Sequence, residues 1–314
     1  MSQFTIYKSS DASAITMSGQ SGSLLSVLDS VLVNGYGSKP GAGWTKPFPN
    51  TSSVGCYRLG TGSMLYLSVD DSAVATAKEA RITGYDLLTS INTGTNPFPT
   101  SSQGVGGVAM VVARKSATID TASRSWIIAA DSRSCYVFVQ TGDLANTYLA
   151  FFFGDFYTFA SPDTANCMIV GRTTENSALM TADNLDRFSN VNTSDAGHFV
   201  AHTIGGGGTS ITVGKHGDNA KANNGTGSQG SLPYPNTADT GVYISPVWIS
   251  ENATSAIRGT MRGFYHFCHS PSGVSDGQQF TGSGTYAGKS FQVVKSSANS
   301  CVYFLETSNT LDTN

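Results

Sequence analysis

Apolar residues are densest between Ser125 and Tyr157, SWIIAADSRSCYVFVQTGDLANTYLAFFFGDFY. They form three short runs, Trp126–Ala130, Cys135–Gln140 and Tyr148–Phe153, separated by Asp131-Ser132-Arg133-Ser134 and Thr141-Gly142-Asp143. Short runs rich in aromatic and β-branched side chains, bounded by turn formers, predict an antiparallel meander. Alternation puts Cys135, Val137 and Val139 on one face and Tyr136, Phe138 and Gln140 on the other. Both faces carry apolar groups, so the sheet is expected to be covered on both sides, with the rest of the chain supplying the further layer.

Upstream, Phe4–Tyr7 reads as a short strand, and Ser21 or Ser23 as the cap of a helix over Leu24–Leu32. Leu24, Leu28, Val31 and Leu32 share one helical stripe, and Asn34-Gly35 supplies a left-handed stop. The loop GYGSKPGAGWTKPFPN follows, with Trp44 and Phe48 expected to anchor it. Cys56–Leu59 and Met64–Val69 predict a hairpin across Gly60-Thr61-Gly62-Ser63, and Ala80–Tyr85 a further strand. From Asn92 to Gly107, NTGTNPFPTSSQGVGG breaks the pattern and marks a boundary. Val108–Ala113 and Cys167–Val170 flank the meander, and a short helix is predicted between Thr173 and Asp195. Beyond it lie strand patterns at His198–Thr203, Ser210–Val213, Val242–Ile249, Met261–Cys268, Ser290–Val294 and Cys301–Glu306. The expected fold is mainly β, with antiparallel sandwich-like sheets and one N-terminal helix. Its parts are an α+β segment over 1–104, the meander over 105–185 and a β domain over 186–314.

Lys215–Asp239, KHGDNAKANNGTGSQGSLPYPNTAD, spans about 25 residues with little to bury, and loops of that length are functional or disordered. It is expected to be an exposed arm that orders on a neighbouring subunit, with Leu232, Pro233, Tyr234 and Pro235 as the docking anchor.

Composition changes the picture in one respect. Only 12% of the 314 residues are charged, while 35 glycines and many Ser, Thr and Asn make an uncharged polar surface of the kind found in subunits packed inside assemblies. A net charge of −3 without any Lys/Arg run points away from nucleic acid and from anionic membranes. The opening MSQFTIYKSSDAS lacks the basic and apolar regions of a secretory signal, and no apolar run reaches the roughly 18 residues of a membrane span. Synthesis in the cytoplasm is expected.

Candidate chemistry is sparse. His266-Phe267-Cys268-His269 offers metal-ligand types, but strand alternation sends His266 and Cys268 to one face and His269 to the other. His198 and His202 would stand roughly 13 Å apart on an extended strand, too far to share an ion. Cys56, Cys135, Cys167, Cys268 and Cys301 form no C-x-x-C pair and read as buried thiols, the odd count leaving one for an inter-subunit bridge. Asp70-Asp71, Asp131, Asp155 and Glu251 are assigned turn and capping roles rather than paired-acid catalysis. No H-E-x-x-H or phosphate loop occurs, so no catalytic residue, metal or cofactor is assigned and no enzymatic activity is expected.

Several stretches together resemble a known family: IYKSSDASA, LLSVLDSVLVNGYGSKPGAGWTKPF, VDDS, VGRTTENS, ITVGKHGD, IRGTMRGFYHFCH, GTYAGKSFQVV and FLETSN. They are similar to uncharacterised virion structural proteins of tailed bacteriophages, and the resemblance spans most of the chain. It implies a particle component in the tail, baseplate or neck, located in the virion, partnered by other virion proteins and by copies of itself. It carries no catalytic mechanism. A second reading is a receptor- or glycan-binding tail protein, with a host surface glycan as partner, read by Tyr234, Tyr243 and Trp248. A capsule depolymerase is the third, and lacks a converging acid or Tyr/His/Arg set.

Overall fold

The computed structural model describes residues 4–72, 78–175, 196–204, 211–216, 232–251, 256–296 and 302–307. The chain opens with strand β1 (Thr5–Lys8), helix α1 (Ser23–Leu28) and a wider π-helical turn over Asp29–Asn34. Four strands and a small hairpin follow: β2 (Val54–Arg58), β3 (Tyr66–Asp70), β4 (Glu79–Tyr85), the hairpin β5 (Leu87–Ser90) and β6 (Thr93–Thr95), and β7 (Val111–Arg114). The meander is β8 (Trp126–Asp131), β9 (Ser134–Gln140) and β10 (Tyr148–Asp155), succeeded by β11 (Tyr157–Thr158) and β12 (Cys167–Arg172). The remainder is β13 (Ala196–Val200), β14 (Ile211–His216), β15 (Ile244–Glu251), β16 (Ala256–Phe267), β17 (Gln279–Thr281), β18 (Ser290–Lys295) and β19 (Val302–Thr307).

Apart from β5 and β6, the described strands belong to one hydrogen-bonded sheet, and every strand pair in it is antiparallel. Its main path runs β1-β8-β9-β10-β12-β13-β14-β15-β16-β19-β18-β17. A side branch, β2-β3-β4-β7, joins at β12, where Arg172 pairs with Val112. The path curls until Phe4 meets Thr307 in a parallel bridge, the Phe4 amide lying 3.4 Å from the Glu306 carbonyl. The seam almost closes the sheet on itself.

Alternation on the curled sheet produces the cores. Outward from the meander, Ile128, Ala130, Cys135, Val137, Val139, Phe151 and Phe153 pack under α1 and the loop carrying Trp44. Inward, Ile127, Ala129, Tyr136, Phe138 and Phe152 meet Val247, Ile249, Met261, Phe264, Tyr303 and Leu305 from the opposite side of the curl. The far face of β16, β18 and β19 supplies a third core of Tyr265, Phe267, Phe291, Val293, Val302 and Phe304. The expected two-sided coverage of the meander is therefore what the structure has. Gly263, with φ 55°, resets the alternation so that Met261 and Phe264 both enter the inner core, and a Cβ there would stand 2.6 Å from the Phe4 ring.

Three expectations need correction or placement. The helix is capped by neither Ser21 nor Ser23: its N-cap is Gly22, with φ 78° and no side-chain cap, and the Leu24 amide instead bonds to Asp71 Oδ2 at 2.9 Å. Only Ser23–Leu28 is α-helical. Ser26 and Ser30 hydroxyls bond back to the Gly22 and Ser26 carbonyls, an arrangement that loosens helices, and the chain continues as the π turn to Gly35, which ends it with φ 78° and an extended ψ of 172° in place of the left-handed stop expected there. The division expected at residue 104 does not separate cores, since β4 and β7 pair across it and Ile82, Phe98 and Val111 lie in one cluster. The boundary at 185, most of the segment expected to hold a second helix, and residues 217–231 of the expected arm lie outside the described residues.

Candidate functional site

The expected anchor lies along the third core of its own chain. Leu232 bridges to His269, and the Ser270 amide donates to the Leu232 carbonyl at 2.9 Å. Tyr234 is half-buried, its ring 5.7 Å from that of Phe267, while Leu232, Pro233 and Pro235 are exposed. The segment from Leu232 to Tyr243 forms a strap over the sheet. His269, fully buried, holds both of its ends: Nε2 accepts the Tyr243 amide at 2.6 Å, which leaves Nδ1–H to donate to the Pro233 carbonyl at 2.7 Å. The Cys268 amide adds a bond to the Tyr243 carbonyl at 3.1 Å. Between these points the chain turns tightly, with Asp239 accepting from Asn236 Nδ2, the Gly241 amide and the Tyr243 hydroxyl. The Tyr243 bond holds the Asp239 carboxyl below the usual range.

The strap is one wall of a cup of about 220 Å³. Thr240, Gly241 and Val242 face the turn Thr281–Ser283 and Tyr286, with Phe291 and Phe304 beneath. Phe280 lies 5.1 Å from Phe304, and Tyr286 meets Phe291 edge-on at 5.8 Å. The opposite wall is fixed by β17 pairing with β18 and by the Gly282 amide bonding to the Lys289 carbonyl at 2.7 Å.

A separate apolar surface lies where β11 and β15 flank β16. Tyr157 and Trp248 both stand opposite Thr260, and Phe159, 61% exposed, has its ring 5.9 Å from that of Trp248. Ile257 on the same strand is also exposed.

Several of the charged residues are buried in pairs. Arg258 is fully buried between Asp163 and Glu251, at 2.7 and 2.8 Å, with Phe156 stacked on its guanidinium. Glu79 takes both Arg114 and Arg172, Arg114 also reaching Asp143. Lys115 pairs with Asp71, Arg262 with Asp131, and Arg133 with Asp155, whose carboxylate also accepts the Ser63 hydroxyl at 2.5 Å. Burial pushes the Asp155 carboxyl up, against those donors. These acids thus serve the turn and capping roles expected of them, and also join distant strands.

The histidine and cysteine set is dispersed. Phe264 and Tyr265 show which way β16 alternates, and Phe267 and His269 follow Tyr265 to the third core while fully buried His266 lies edge-on to Tyr303. No group of three His, Cys, Asp or Glu among the described residues is arranged to hold a metal. His198 is buried, whereas His202 Nε2 bonds to Asp86. Cys56, Cys135, Cys167 and Cys268 are buried, burial raising the thiols of the first three; Cys301 lies outside the described residues.

No protein-family model matches this chain, and no curated protein compared with it is similar. The structure stands on its own residues. Of the aromatics expected to read a glycan, Tyr243 is 44% exposed at one end of the strap, Tyr234 near its other end packs down on Phe267, and Trp248 belongs to the other surface. Sequence reasoning missed Phe280 and Tyr286. The signal was present in FTGSGTY, where glycines and hydroxyl residues are bracketed by two aromatics, but nothing local says that the strap closes over them.

Proposed function

We propose that this chain is a bacteriophage virion structural protein, a tail, baseplate or neck component that contributes packing surfaces to a multi-subunit assembly and resides in the virion. The observation that carries this reading is the disposition of charge. A chain with only 12% charged residues places several of them in buried pairs, such as Arg258 with Asp163 and Glu251, Lys115 with Asp71, and Arg114 and Arg172 with Glu79. Those pairs leave the outer surface poorer still in charge, while Phe159, Ile257, Tyr157 and Tyr243 stand exposed on it. Depletion of charge with retention of aromatics is the compositional mark of protein interfaces. The resemblance to virion proteins points the same way. The test is mass spectrometry of purified, salt-washed particles with copy number referred to the portal ring. A fixed integral ratio is expected, and absence from washed particles would sink the reading.

A further inference from the structure

We infer that the cup between the strap and the β17–β18 hairpin is a binding site for a single neutral sugar ring. This goes beyond a packing role and does not depend on it. The cup's volume, about 220 Å³, matches one pyranose ring and is too small for an oligosaccharide to enter whole. Its lining has two kinds of surface. Half-buried Phe280 and Tyr286 present aromatic area, over a floor of buried Phe291 and Phe304, against which the apolar C–H face of a ring packs. Thr240, Thr281 and Ser283 stand in the same lining, and the hydroxyls of Thr281 and Ser283 have no side-chain hydrogen bond within the described residues. No ionised side chain lines the cup, so nothing in it selects a charged ligand. A purely aliphatic occupant would fill the aromatic side and leave those hydroxyls dehydrated without partners, a cost that a ring bearing its own hydroxyls avoids.

The walls are also pre-formed. Asp239 locks the Asn236–Gly241 turn, and His269 pins the strap at Tyr243 and Pro233, so little ordering is left to oppose binding.

Saturation-transfer NMR on the full chain tests this, with glucose, galactose, N-acetylglucosamine and rhamnose as probes and N-acetyl-leucinamide as the apolar control. The sugars are titrated to about 50 mM, because a single ring gains only millimolar affinity from so few atoms. At least one sugar is expected to receive saturation mainly on one ring face. Tyr286→Ala should weaken that sugar about tenfold through loss of the stacked ring. Thr281→Val with Ser283→Ala, at exposed positions that do not carry the fold, should abolish the difference among the sugars. No transfer to any of the four sugars overturns the proposal, as does transfer unchanged in both variants. Stronger binding of N-acetyl-leucinamide than of every sugar also overturns it, by marking the cup as a seat for a protein side chain. None of these outcomes bears on presence in the particle, so failure here leaves the proposed function standing.

Discussion

Asp71 closes the first turn of α1 from across the core, its Oδ2 on the Leu24 amide and its Oδ1 on the Lys115 ammonium, whose Nζ also reaches the Gln20 carbonyl at 2.6 Å. Burial pushes the Asp71 carboxyl up from its ordinary 3.8 to about 6, against the pull of Lys115 and the helix amides. The folded chain therefore holds this proton to a higher pH than the unfolded chain does. Its contribution to stability is complete below about 4 and is lost as pH rises through about 6. Relative to Asp71→Asn, the parent should gain up to about 3 kcal/mol between pH 7 and pH 4. Urea unfolding of the two proteins across that range measures it, and a constant difference would mean that Lys115 keeps the carboxylate ionised throughout. Arg258 is the opposite case, a cation that two acids require. Arg258→Leu should cost about 3 to 5 kcal/mol in urea unfolding, because Asp163 and Glu251 would remain buried without it. A loss below about 1 kcal/mol would mean that water reaches them. The capping role of Asp71 was legible from its place after a strand, but its partner was not, since the Leu24 amide is 47 residues away and a distant cap leaves no local pattern.

At the level of elements, Leu28 sits fully buried where α1 passes into its π turn, against the outer face of the meander. Leu28→Ala should destabilise by about 2 to 5 kcal/mol through the cavity it leaves, as read by thermal or urea unfolding. A change under about 0.5 kcal/mol would show that the turn collapses to fill the space. Chelation should leave the melting temperature of the protein unchanged, because His266 packs on Tyr303 of the inner core while His269 packs on Phe267 of the third; a drop of several degrees would restore a metal site there. The meander was legible nearly to the residue because each of its strands is apolar on both faces and ends in a turn signal. Hairpin β5–β6 and strand β17 were not, since TGT and QFT are too short to alternate and are held by backbone pairing and by their neighbours. The helix was read too long for a related reason: its apolar stripe continues through Val31 and Leu32 although the hydrogen bonding widens at Asp29.

Across the described residues, the three larger cores are stacked over one curled sheet, and the sequence showed the coverage of the meander without showing that the same sheet returns to cover itself. That closure depends on β14 passing from β13 to β15 and on pairing between residues far apart, which no local periodicity encodes. The surface of the assembled fold also yields a prediction. Phe159→Ser with Ile257→Ser should leave thermal stability within about 1 kcal/mol of the parent, since exposed positions contribute little to the core. The same change should remove the protein from particles in a complementation experiment scored by mass spectrometry; unchanged incorporation would take this face out of the assembly. The seam at Phe4 and Thr307 bears on synthesis as well. A ribosome releases Phe4 first and Thr307 some three hundred residues later, so β1 waits for β8 to gain its first partner and for β19 to gain its second. Until then the inner core, Tyr136 and Phe152 included, has no complete opposite wall, and the nascent chain exposes its stickiest surface through roughly the second half of its translation, a period in which chaperone binding should be heaviest.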